Sequence, residues 1–107
     1  MERFVEQTLL YDFYGELLTE RQKQVYESVV LEDSSLSEAA EEFGISRQGV
    51  HDMVRRCNKI LEDYEDKLHL VEKFLNIRRQ VKEIHALAGK YRAQEIADIS
   101  DQILEEL

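Results

Sequence analysis

Between Leu36 and Met53 the chain reads LSEAAEEFGISRQGVHDM, and the spacing of its small and apolar residues predicts two helices packed across a tight turn. Ser35 is placed to cap the first helix with Glu38 three residues on, the reciprocal box that satisfies two otherwise unpaired backbone donors. Ala39 and Ala40 fall where two helix backbones approach closely. Gly44 follows the last apolar position, Phe43, and glycine takes a positive φ there at no steric cost. Ile45 plugs the turn, Ser46 caps the second helix, and Val50, Met53 and Val54 give that helix a buried face. The pattern is a helix-turn-helix, spanning about residues 35–60. Its second helix turns Arg47, Gln48, His51, Arg55 and Lys59 to the other side, with Gly49, Asp52 and Arg56 beside them. In this motif the second helix enters a major groove with its N-terminal residues at base edges and its cations at phosphates. These eight residues are therefore the candidate nucleic-acid contacts, Gly49 as a position without a side chain where backbone can approach a phosphate. Helical hairpins of the same spacing also occur in bundles that touch no nucleic acid, where such a face is merely solvated.

Charge sharpens the question. The chain has 23 acidic and 14 basic side chains, net −9, the wrong sign for a protein that coats a polyanion. Residues 1–45 hold 11 acidic and 3 basic groups, residues 46–60 hold 1 and 4, and residues 61–107 hold 11 and 7. The one basic segment is thus the predicted recognition helix, where Arg47, His51, Arg55 and Lys59 recur every four residues on one face with Arg56 at its flank. Such a stripe on an acidic body suits a weak or localised nucleic-acid contact, or a charge-complementary protein partner.

A chain of 107 residues without proline, 35% charged and lacking alternation bounded by turn signals, predicts a single all-α domain. The N-terminus has no signal pattern and no apolar run approaches a membrane span, so a cytoplasmic protein with no membrane contact is expected. Cys57, the lone cysteine, falls at a core-facing position and reads as a buried thiol. His51, His69 and His85 lie far apart without ligands at metal spacing, and there is no Gly-rich phosphate loop. The sequence therefore predicts no catalytic residues, no metal and no cofactor.

Five helices are expected. The first, about residues 2–17, is apolar over too much of its circumference for one neighbour, and the second starts at Thr19 with Gln22 completing another capping box. The fourth runs from Ser46 without a breaker until Gly89, about 46–88. Along it Val50, Val54, Cys57, Leu61, Tyr64, Leu68, Val71 and Leu75 alternate at spacings of four and three, a heptad seam, and beyond Leu75 the apolar stripe shifts. Val54 to Leu75 on that seam predict a homodimer with two recognition helices; the alternative is an intramolecular groove filled by the first helix and the last. After Ala88-Gly89-Lys90 a final helix carries Tyr91, Ile96, Ile99, Ile103 and Leu107 on one side, and should dock rather than float.

LTERQ at 18–22, the helix-turn-helix, Arg55-Arg56 and Ile60-Leu61 together resemble region 4 of the sigma-70 family, over about residues 17–62. A longer stretch, FYGELLTERQKQVYESVVLEDSSLSEAAEEFGISRQGVHDMVRRCNKILEDYEDKLHL, resembles the YlxM-like family of small bacterial proteins, the LEDYEDKLHL segment being the more specific part. That resemblance implies a regulatory or accessory protein of the signal recognition particle pathway. The implied partners are DNA or the particle's RNA, and the particle's GTPase or its receptor. A sequence-specific transcriptional regulator unrelated to protein targeting is the other function such a helix-turn-helix implies. Nothing in the chain matches the sigma-factor helix that melts promoter DNA.

Overall fold

The computed structural model describes residues 2–107, and every regular element among them is helical. Packing divides the chain into two compact units, Met1–His69 and Leu70–Leu107.

The first unit holds α1 (Arg3–Tyr14), α2 (Glu20–Tyr26), α3 (Leu36–Phe43) and α4 (Arg47–Leu68). A short 3₁₀ turn, Gly15–Leu17, follows α1, and α2 continues into a π-helical turn, Glu27–Leu31. Helix starts are written in the side chains. The Thr19 hydroxyl accepts from the Gln22 N–H at 3.2 Å while the Gln22 side chain accepts from the Thr19 N–H at 2.9 Å. Ser35 and Glu38 form the same reciprocal pair at 3.0 and 3.2 Å.

Two small cores meet in this unit. One joins Val25 of α2, Ala39 of α3 and Val50 of α4, none with any exposed surface, ringed by Leu36, Phe43, Ile45, Met53 and Val54. Of the two alanines at the predicted crossing, Ala39 is the enclosed one; Ala40 sits at its edge. The other core sets Leu10 and Tyr14 of α1 against Cys57 and Leu61 of α4 and Tyr26 of α2, all buried. Tyr11 stacks on Tyr26 with centroids 5.4 Å apart, and Tyr14 stacks on Tyr64 at 6.0 Å. Buried polar groups find partners: the Tyr14 hydroxyl donates to Glu65 at 2.6 Å and the Tyr26 hydroxyl to Asn58 at 2.7 Å. Of the wide apolar stripe expected over residues 2–17, Phe4, Val5 and Phe13 of α1 and Leu17 of the turn after it stay exposed.

This packing revises the expected long helix. A single helix over 46–88 does not form: α4 ends at Leu68 with His69 in the left-handed conformation, φ 55°, and α5 (Leu70–Lys90) starts anew. A left-handed residue breaks the 3.6-residue phase, so Val54–Leu68 and Val71–Leu75 belong to two helices and not to one seam. Within α4 the seam is occupied by its own chain. Cys57 and Leu61 are fully buried and Tyr64 is stacked under α1, whereas Leu68 remains exposed. The intramolecular alternative describes this stretch, because the first helix fills the groove.

The second unit is a helical hairpin of α5 and α6 (Gln94–Glu106). α5 runs through the exposed Gly89 and stops at Tyr91–Ala93, where Arg92 takes φ 55°. Val71, Val81 and Ala88 of α5 and Ala97 and Ser100 of α6 are buried. The final helix does dock, but by Ala97 and Ser100. The side carrying Ile96, Ile99, Ile103 and Leu107 faces outward.

Candidate nucleic-acid interface

The exposed face of α4 is set by what lies behind it. Val50, buried against Val25 and Ala39, fixes the rotation of the helix, and Met53 and Val54, three and four residues on, pack against the same core. The turn fixes its entry angle. Gly44 takes φ 67° and ψ 34°, the Ile45 N–H returns to the Ala40 carbonyl at 3.1 Å, and the Ser46 hydroxyl accepts from the Gly49 N–H at 2.9 Å. Arg21 of α2 braces the end of α3, its guanidinium 5.2 Å from the Phe43 ring centroid and donating to the Phe43 carbonyl. A cation there also opposes the negative end of the helix dipole.

Arg47, Gln48, His51, Asp52, Arg55, Arg56 and Lys59 are all exposed. Arg47, Gln48 and His51 line one shallow concavity with Leu36; Asp52, Arg55, Arg56 and Lys59 line the next along the helix. The positive charge is less uniform than the sequence suggests. Lys59 donates to Asp63 at 2.9 Å, a partner one turn on, and that bond holds its ammonium pKa above the usual value. The Gln48 amide donates to Asp52 at 2.9 Å, and His51 Nδ1 lies 3.8 Å from the same carboxylate. Among the described residues no carboxylate lies within ion-pair distance of Arg47, Arg55 or Arg56. Gly49 faces the turn: a Cβ there would meet the Ser46 hydroxyl at 3.1 Å and Ile45 at 3.8 Å. Its local reason is room for the cap.

This helix-turn-helix, capped and crossed as described, is matched by a family model described as "Putative helix-turn-helix protein, YlxM / p13 like", which covers residues 1–102. The chain belongs to that family. It is 41% identical to the UPF0122 protein of Thermoanaerobacter sp. (strain X514), over 97% of this chain and 92% of the relative. It is 40% identical to that of Clostridium kluyveri (strain NBRC 12016), over 96% and 93%. With the Streptococcus gordonii relative it shares 44% over 85% and 80%. The family match runs through α4 and most of the α5–α6 hairpin, so both units are part of what defines this family member.

One polar cluster escaped the sequence reading. His85 of α5 has Nδ1 3.1 Å from the Ser100 hydroxyl and 3.2 Å from an Asp101 carboxylate oxygen of α6. The residues are 15 and 16 apart, and only the hairpin brings them together. Ser100 is buried and donates to the Ala97 carbonyl at 2.8 Å. Both partners meet the same ring nitrogen, whereas a nucleophile relay needs the two nitrogens separately engaged. The cluster ties α5 to α6. No helix among the described residues is long and apolar enough to cross a membrane, and no group of three potential metal ligands gathers among them.

Proposed function

We propose that this family member binds duplex nucleic acid through the outer face of α4, with Arg47, Arg55 and Arg56 on phosphates and Gln48 and His51 toward base edges. One observation carries the reading: three exposed arginines without a carboxylate partner on the second helix of a helix-turn-helix. They lie in a unit whose residues 1–69 carry 16 acidic against 8 basic groups, these three included. Phosphates compete for free guanidinium groups at no cost in broken ion pairs. DNA is the better duplex, because its major groove admits a helix while the A-form major groove of RNA is too narrow for one. The acidic remainder limits affinity, and the arginine–phosphate contacts make it salt-dependent. Gln48 leaves Asp52 when it reads a base, and Lys59 contributes less than the arginines because Asp63 holds it.

The resemblance to the YlxM-like proteins supplies the setting: an accessory role in the signal recognition particle pathway in the cytoplasm. A second reading follows from the acidic surface, with Glu41 and Glu42 exposed on α3, the first helix of the motif. In it the chain is an adaptor for a basic protein, the particle's GTPase or its receptor.

Titration of labelled DNA duplex, particle RNA and GTPase with wild-type protein and with the Arg47→Ala, Arg55→Ala, Arg56→Ala triple variant separates these. Nucleic-acid binding predicts a log–log salt slope of about −3 for three phosphates, lost in the triple variant with the fold intact. No binding of wild type to DNA or RNA at low salt, together with GTPase binding that Glu41→Lys and Glu42→Lys weaken, replaces the first reading with the adaptor.

A further inference from the structure

The α5–α6 hairpin carries an apolar face that neither of its helices covers. Ile84, Leu87 and Tyr91 of α5 and its turn, and Ile96, Ile99 and Ile103 of α6, are between 38% and 70% exposed. They are contiguous: Ile84, Leu87, Tyr91 and Ile96 line one cleft together with Ala88 and Ala93. The helices cannot cover this face themselves, because their mutual contact uses the neighbouring stripe, Val81 and Ala88 against Ala97 and Ser100.

Three features choose the occupant. Six half-exposed side chains of this size present on the order of 500 Å² of apolar surface. That is toward the upper end of the largest apolar patch a monomer shows, about 300–600 Å² and often functional, and it matches the apolar share of the ~800 Å² each partner buries in a standard homodimer. The surface is made by both helices, half of a four-helix bundle. Charge decides between a copy of the same chain and a foreign partner. α5 carries five basic and two acidic groups and α6 carries five acidic and no basic ones, so α5 of one copy set over α6 of another is attractive. Residues 1–69, at 16 acidic to 8 basic, repel their own kind and would draw a basic protein to themselves, away from the nearly neutral hairpin.

We infer that the chain forms a homodimer through the α5–α6 hairpin, α5 of each copy packing over α6 of the other in a four-helix bundle. The recognition helix then exists in two copies per particle, which is how helix-turn-helix proteins turn a weak single contact into a specific one. The heptad seam of α4 takes no part, since α1 occupies it.

Sedimentation equilibrium of the full chain from micromolar to submillimolar concentration tests this. Wild type should sediment at twice the chain mass. Ile84→Glu with Ile99→Glu, both at exposed positions, should raise the dissociation constant by about a hundredfold or more while far-ultraviolet circular dichroism keeps its helical amplitude. Phe4→Glu with Val5→Glu on α1 should leave the dimer intact. A wild-type chain that stays monomeric throughout overturns the inference and leaves the face to another kind of partner; so does a dimer that the α1 pair dissociates and the hairpin pair does not.

Discussion

The molecule contains two helical hairpins made from similar local parts, α3–α4 and α5–α6, and they finish differently. The first closes through Gly44 in the left-handed conformation; the second closes through Arg92 in the same conformation. Behind the first stands a third wall, α2, so that Val25, Ala39 and Val50 meet with no exposed surface. Behind the second there is no helix of its own unit, and its interior is valine, alanine and serine while its isoleucines are exposed. Two helices can bury only a stripe of each other, and enclosing a wide apolar face takes a further layer. The contrast explains why the first hairpin presents a polar outer face and the second an apolar one.

The largest expected effect tests whether the buried and the outward apolar sets differ in energy as they do in exposure. Leu61→Ala removes a fully buried side chain and should cost about 2–5 kcal/mol, whereas Ile99→Ala on dilute, monomeric protein should cost under about 0.5 kcal/mol. Denaturant midpoints measure both, and equal losses would break the comparison.

Alkaline pH should act on the first unit next. Burial pushes the Cys57 thiol up from 9.0 to about 11 and the Tyr26 phenol up from 10.0 to about 12. A raised folded-state value means that the protonated form is bound more tightly in the fold. The stabilisation is complete below the unfolded value and is lost as pH climbs through the folded one. The denaturant midpoint should therefore fall between pH 9.0 and about 12, with Cys57 leading. A midpoint that holds constant across that window would mean that these groups are not closed off from water.

The smallest effects concern the two turns. Gly44→Ala puts a Cβ into a left-handed residue and should cost about 1–2 kcal/mol; Arg92→Gly relieves the same strain, and after the entropy of a glycine in the unfolded chain should gain under about 1 kcal/mol. Thermal melting compares them. Opposite signs support a shared turn device, while a destabilised Arg92→Gly would show that the arginine side chain itself holds the hairpin.

The helix-turn-helix was legible because each of its parts is a residue type with one local job. Ser35 with Glu38, Gly44, and Ser46 are signals that act within three or four residues, and the structure puts each where its chemistry requires. The breaks at His69 and Arg92 were not legible. Neither is a glycine, so no residue type announces the left-handed conformation there, and the apolar period ran on unbroken through Leu68 and Leu70. Gly89, the residue that signalled a break, lies inside α5.

The sequence by itself therefore determined the all-helical class, the position and caps of the helix-turn-helix, and which cations could form a stripe, since all three follow from short-range periodicity and backbone sterics. Only the tertiary structure decided that α1 fills the groove along Cys57, Leu61 and Tyr64, and that α6 docks by Ala97 and Ser100 and not by its isoleucines. An apolar stripe states that something must cover it; which surface does so depends on where distant segments return in space, and one-dimensional spacing carries no record of that.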